Sequence, residues 1–160
     1  MAQSATTVHA SAVLVGVRAV LIRGPSGAGK SRLALALIEA ARTGTLRFAR
    51  LVGDDRVHLE PANGRLLVRP AEPLAGLIEI RGVGLRQLDH EPSAVVGLVV
   101  DLAAADAERL PEAERQHAVI AGITLPRLAI AAGDEALPAV MAVLTSAGLE
   151  GAVLGLGRAS

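Results

Sequence analysis

The apolar positions of this chain fall into short runs separated by turn residues. Ala19-Val20-Leu21-Ile22 has the length of a buried strand, and comparable runs near 8–15, 49–53, 56–60, 65–69, 77–81, 95–101, 117–121 and 127–132 each predict another. Two stretches follow helical spacing instead. One covers 31–43, where Leu33, Leu35, Ala36, Leu37 and Ile38 stand among strong helix formers; the other covers 136–147, with Asp134 as its expected cap, Pro138 tolerated in the first turn and Gly148 as its stop. Pro61-Ala62-Asn63-Gly64 divides two strand runs, and its Asn-Gly pair predicts a hairpin. The acidic, Ala-rich segment 101–114 carries no motif and reads as a surface loop or short helix. Residues 1–150 read as a single domain, and the Gly-rich 151–160 as a frayed tail. The fold class expected is α/β, one domain with a mixed, strand-rich sheet.

Composition narrows the possible functions. With 160 residues, 51% of them hydrophobic and 20% charged, the chain buries one sizeable core and is not a disordered segment. A single Phe and no Trp or Tyr make that core aliphatic. Sixteen basic residues balance sixteen acidic ones, so there is no electrostatic footprint for nucleic acid, and aromatic platforms for bases are missing. The most apolar stretch, 8–22, is short and interrupted by Arg18, so no membrane span is expected. No cysteine is present and no secretory pattern opens the chain, from which a cytoplasmic location is expected.

Fifteen of the sixteen basic residues are Arg; the one Lys is Lys30. A compact ammonium on a flexible stem is retained at one point only. That point ends Gly24-Pro25-Ser26-Gly27-Ala28-Gly29-Lys30-Ser31, which fits G-x-x-x-x-G-K-[ST]. In such a phosphate loop the glycines let backbone N–H groups turn inward around phosphate oxygens, the Lys reaches the terminal phosphates and the Ser hydroxyl coordinates Mg²⁺. An apolar strand precedes the motif and a helix follows it, in the order that the motif requires, and the helix N-terminus adds partial positive charge. ATP and Mg²⁺ are the expected ligands.

Acceptor chemistry must come from elsewhere in the chain. Leu51-Val52-Gly53 ends in Asp54 and Asp55, at the carboxyl end of a predicted strand where ligands of open α/β sheets lie. Successive strand side chains point opposite ways, so one acid can face a metal and the other an acceptor hydroxyl, although Asp-Asp-Arg56 would also suit a solvated hairpin turn. Leu77-Ile78-Glu79-Ile80-Arg81-Gly82-Val83-Gly84 puts Glu79 and Arg81 opposite Ile78 and Ile80, a charged face that suits either a site or a cross-strand ion pair. His9 is a lone imidazole, and Arg127, after Pro126, is one Arg among fifteen.

Together these pieces resemble the catalytic domain of the HPr kinase/phosphorylase family, bacterial enzymes that phosphorylate a seryl residue of the phosphocarrier protein HPr. In that family a His lies at the start of a strand ahead of the loop lysine, as His9 does here, and an Asp pair ends a later strand, as Asp54 and Asp55 do. The family signature resembles I-E-I-R-G-x-G, matched by residues 78–84. Where the family has an acidic residue after the loop Ser, this chain has Arg32, and the Arg-rich carboxyl-side loop is reduced to Thr124-Leu125-Pro126-Arg127. The resemblance runs over 7–132, without the amino-terminal domain of the long members, as in the short form similar to alphaproteobacterial proteins.

The resemblance implies a P-loop fold similar to phosphoenolpyruvate carboxykinases. It also implies an ATP-dependent serine kinase, and a phosphorylase in reverse, acting on an HPr-like phosphocarrier of a bacterial phosphotransferase system. Residues 24–31 would bind nucleotide, Ser31 and Glu79 would hold Mg²⁺, and Asp54 or Asp55 would serve as base, with Asp54 favoured. His9 would orient phosphate, Arg127 would contact phosphate or partner, and the assembly would be a homo-oligomer, a hexamer. A nucleotide-sensing module without transfer activity and a small-molecule kinase are the competing readings.

Overall fold

The computed structural model describes residues 6–108 and 111–146. Eleven strands, two α-helices and one short 3-10 helix (Ala113–Gln116) occur among them: β1 (Thr6–Val8), β2 (Ala10–Val15), β3 (Arg18–Arg23), α1 (Lys30–Arg42), β4 (Ala49–Gly53), β5 (Val57–Ala62), β6 (Arg65–Pro70), β7 (Leu77–Ile80), β8 (Gly84–Gln87), β9 (Ala94–Asp101), β10 (His117–Ile120), β11 (Ile123–Ala129) and α2 (Ala136–Thr145). Nine strands form one mixed sheet, in which β1-β5-β6-β9-β3-β2-β4 are neighbours in that order. β3 runs along one edge of β9; on the other edge β6 pairs at its start and β11 at its end. β7 and β8 make a separate two-stranded ribbon.

Strand direction positions the site. β9 and β11 run parallel to β3. β4 is antiparallel to β2, itself antiparallel to β3, so β4 also runs with β3. The carboxyl ends of β3, β4, β9 and β11 therefore open on one edge of the sheet, where ligands of α/β proteins bind.

Alternation along the strands splits the aliphatic core into two layers. Val13, Val15, Val20, Ile22, Leu98 and Val100 face the helices, packing with Leu33, Ala34 and Leu37 of α1 and Val140 and Leu144 of α2. Ala10, Ala12, Ala19, Leu21, Val96 and Val99 face the other way, against Val57, Leu59, Leu66 and Val68 of the curled part of the sheet. The one break in this parity lies at Gly97. The β3–β9 register slips there, and a Cβ on Gly97 would stand 2.7 Å from that of Arg18.

The expected elements are present with four changes. The run 8–15 is two strands interrupted at His9, because β1 leaves β2 to pair with β5. The last strand is 123–129 rather than 127–132: it begins by pairing with β10 and ends against β9. The exposed strand β8, with little apolar patterning, gave no sequence signal. The residue that caps α2 is Glu135, not Asp134, and no side chain bonds to the helix end. Asn63 and Gly64 do close the β5–β6 hairpin, both with positive φ. Gly148 and the tail 151–160 lie outside the described residues. No helix among the described residues is long and apolar enough to cross a membrane.

Candidate active site

Residues 24–29 link the end of β3 to α1. Gly27 and Gly29 have φ of 83° and 99°, a left-handed backbone that L side chains rarely adopt. Gly29 opens α1 without a side-chain cap and with no acidic residue in the first turn, which leaves the helix end available to an anion. Lys30 Nζ donates to the carbonyls of Gly24 at 2.8 Å and Pro25 at 3.1 Å, so the ammonium lies over the loop. No carboxylate among the described residues pairs with it. Arg32, one step into the helix, is also without an ionic partner among the described residues.

Asp54 meets this loop from the end of β4. Its carboxylate is 3% exposed and accepts hydrogen bonds from Ser31 Oγ at 2.8 and 2.9 Å, Ser11 Oγ at 2.6 Å and the backbone N–H of Glu79 at 3.2 Å. The preceding Gly53 makes the approach possible. A Cβ there would stand 2.7 Å from Val57 Cγ1 and 3.2 Å from Pro70 Cα, so any side chain would force apart the strands that hold Asp54 in place.

Asp55 follows with φ of 66° and is exposed. The two acids thus divide into one inward and one outward. The turn 54–56 is not a hairpin, since β4 pairs with β2 and β5 pairs with β1 and β6. His9 reaches the same turn: Arg56 donates from Nη2 to His9 Nε2 at 2.9 Å. Because guanidinium is a donor only, Nε2 is the accepting nitrogen of His9 in this pair.

Glu79 reaches the site through its backbone. Ile78 is buried beneath it, while the Glu79 carboxylate is exposed and makes no ion pair among the described residues. The cross-strand pair with Arg81 does not form, because Arg81 lies in the turn beyond β7.

Arg127 lies at a different point of the same edge. Its Nε donates to Asp101 at 2.6 Å, its two terminal nitrogens donate to the two oxygens of Asp106 at 2.8 and 2.9 Å, and one also donates to the carbonyl of Arg115 at 3.1 Å. Arg23 completes the group with a two-pronged pair to Asp101 at 2.7 and 2.8 Å. Burial acts to raise the Asp101 carboxyl, but hydrogen bonds from Arg23 and Arg127 outweigh it and hold the group below the usual carboxylate range. Arg127 likewise lowers Asp106, and Asp106 pushes Arg127 further above its ordinary value. This network ties together the ends of β3, β9 and β11 just before the loop.

Ser11, Arg23, Asp101 and Asp106 were not singled out from the sequence. A signal for Asp101 was present: it ends the run Val95–Val100 as Asp54 ends Leu51–Gly53.

The donor chemistry suits a nucleotide with a hard cation. Two cations without carboxylate partners among the described residues face a glycine-lined turn, and the Ser31 hydroxyl bonds to the Asp54 carboxylate at its head. No group of three or more His, Cys, Asp or Glu able to hold a metal occurs among the described residues. The Ser31 hydroxyl and a neighbouring carboxylate are the hard oxygen donors that Mg²⁺ takes, one or two from protein, with phosphate oxygens and water completing its shell.

The chain is similar to proteins of known family. The HPr kinase/phosphorylase of Streptococcus thermophilus is 46% identical over 81 residues, covering 50% of this chain and 24% of that protein. That of Geobacillus thermodenitrificans is 35% identical over 136 residues, covering 78% of this chain and 42% of that one. The chain thus spans less than half the length of these relatives. The solved structure of the Hpr(Ser) kinase/phosphatase from Coxiella burnetii superposes with a TM-score of 0.67 at 25% identity, covering 85% of this chain and 86% of that one. The model of the HPr serine kinase C-terminal domain matches residues 1–142, and the chain belongs to that family.

Proposed function

We propose that this protein is an ATP-dependent protein-serine kinase acting in the cytoplasm on an HPr-like phosphocarrier, with phosphorolysis of the phosphoserine as its reverse reaction. The observation that carries this reading is the buried Asp54 carboxylate held against the Ser31 hydroxyl at the head of the glycine-rich loop. It joins a proton acceptor to the residue that would coordinate the metal.

Residues 24–31 would hold the phosphates through backbone N–H groups, with Lys30 neutralising charge at the terminal end. Mg²⁺ would be held by Ser31 with Glu79 and would offset the negative charge of the transferring group. Asp54 is the base in this scheme. Were Ser31 Oγ to hold Mg²⁺, Asp54 would have a lone pair open to an acceptor hydroxyl, while Ser11 and the Glu79 N–H keep the carboxylate fixed. A serine hydroxyl arriving there would give its proton to Asp54 as its oxygen attacks the terminal phosphorus of ATP and the bond to ADP breaks. In phosphorolysis Asp54 would take the proton of the attacking inorganic phosphate and pass it to the serine oxygen as the bond between that oxygen and phosphorus breaks, leaving free serine and pyrophosphate. Asp55, His9 and Arg56 form the exposed rim that meets the partner and orients phosphate. Arg127 acts by positioning, since its donors are engaged in holding Asp101 and Asp106.

Incubation with Mg²⁺-ATP and HPr, read by intact-protein mass spectrometry, tests the assignment. Addition of one phosphoryl group to an HPr serine is expected. ATP binding without transfer would leave a nucleotide sensor in its place.

A further inference from the structure

Asp101, one of the carboxylates that Arg127 holds, takes no part in the phosphotransfer scheme, yet it adjoins the start of the glycine-rich loop. Arg23 ends β3 and Gly24 follows it directly. In the parallel pairing of β3 with β9, Arg23 stands opposite Asp101. By alternation the two share the face of Leu21 and Val99, opposite the one that packs on α1. The Asp101 side chain is 14% exposed, and both of its oxygens are engaged. One accepts from Arg23 Nε at 2.7 Å; the other accepts from Arg23 Nη2 at 2.8 Å and from Arg127 Nε at 2.6 Å.

The next residue repeats the grip on the main chain. Leu102 donates its N–H to the Arg23 carbonyl at 2.8 Å, and a Cβ on Gly24 would stand 3.1 Å from both Leu102 Cβ and the Leu102 carbonyl oxygen. Asp101 and Leu102 thus hold, by side chain and by backbone, the point at which the strand becomes the loop. One step further on, the Gly24 carbonyl is one of the two on which Lys30 Nζ rests. Arg23 and Arg127 are matched by Asp101 and Asp106, so the network carries no net charge. What it offers a phosphate is geometry, not attraction.

We propose that Asp101 is a positioning residue of the phosphate loop, acting through Arg23. A glycine-rich loop has many backbone conformations open to it, and only those with N–H groups turned inward bind phosphate. Apparent affinity falls with the fraction of time spent in the competent form, and a fixed entry raises that fraction. This rests on the nucleotide-dependent reading above and adds what keeps the loop in its binding form.

The test is calorimetric binding of Mg²⁺-ATP at a temperature where each variant is folded by circular dichroism. Asp101→Asn and Arg23→Met should each weaken binding about tenfold. The double variant should be no weaker than the weaker single one, because both changes break one contact. Charge alone predicts opposite signs, since removing a carboxylate favours an anionic ligand and removing a guanidinium disfavours it. A role confined to stability predicts no change in a protein that is folded.

Arg23→Lys keeps the charge and loses the two-pronged bond, so it should also weaken ATP binding, and it decides the matter if Asp101→Asn does not fold. Glu91→Gln breaks the ion pair with Arg50, elsewhere in the fold, and should bind ATP as the wild type does. Wild-type or tighter binding in a folded Asp101→Asn, wild-type binding in Arg23→Lys, or an equal loss in Glu91→Gln would overturn the role of Asp101. Failure of the underlying reading looks different: the wild type would not bind Mg²⁺-ATP, or Lys30→Ala would bind it as tightly, and the inference would fall with that reading.

Discussion

Ser11, on β2, donates its hydroxyl to Asp54 at 2.6 Å across two segments separated by forty-three positions, with both residues buried. An ionised carboxylate inside an aliphatic sheet is expensive unless its oxygens are satisfied, and Ser11 supplies one of the bonds that make it tolerable. Ser11→Ala is expected to destabilise the fold by about 1–3 kcal/mol in urea melts. It should also lower phosphoryl transfer more than ATP affinity, since Asp54 loses a fixed contact. Unchanged stability would mean that another donor replaces the hydroxyl.

Lys30→Ala should leave the fold intact, because the ammonium touches only loop carbonyls and no core side chain. Ligands that bind only the folded state raise the melting temperature, so Mg²⁺-ATP should stabilise the wild type by several degrees and the variant hardly at all. Equal shifts in differential scanning fluorimetry would remove Lys30 from the phosphate site.

Asp54→Asn and Asp55→Asn keep side-chain size and should both bind ATP. A carboxamide cannot take the serine proton, so transfer to HPr by Asp54→Asn should fall by about a hundredfold to ten-thousandfold. The exposed Asp55 should show the smaller loss. The reverse ranking, by mass spectrometry of HPr, would make Asp55 the base and Asp54 the metal-side acid.

Glu79→Gln should shift the Mg²⁺ dependence of transfer to higher concentration while changing nucleotide affinity less. The backbone bond from Glu79 to Asp54 survives the substitution, and only a metal-seeking charge is removed. Superimposable Mg²⁺ titrations would confine Glu79 to its backbone role.

The Arg127 network gives a pH signature. Asp101 and Asp106 are lowered in the folded chain, so at acid pH the unfolded chain binds more protons. The stability they contribute is complete above the ordinary carboxylate value of about 4 and is lost as pH falls through their folded values. Arg127→Met should therefore destabilise at neutral pH, with the gap from wild type narrowing as pH falls below the ordinary carboxylate range. A gap of constant size across urea melts from neutral to acid would assign the effect to packing alone.

The sequence by itself determined what is local. Residues 24–31 carry the loop and its lysine in consecutive positions, the Asn63-Gly64 turn needs only its own backbone, and the apolar runs announce strands because burial leaves a period that any window can read. Tertiary structure decided the rest. Ser11, Ser31, Asp54 and the Glu79 backbone come from four separate segments, and only the pairing of β2 between β3 and β4 brings them together. Asp101, Arg23 and Arg127 were indistinguishable from other charges until β3, β9 and β11 aligned their ends. Whether a carboxylate is a solvated turn or a buried anchor depends on what surrounds it in space, and that surrounding is set by strand order, to which no local window has access.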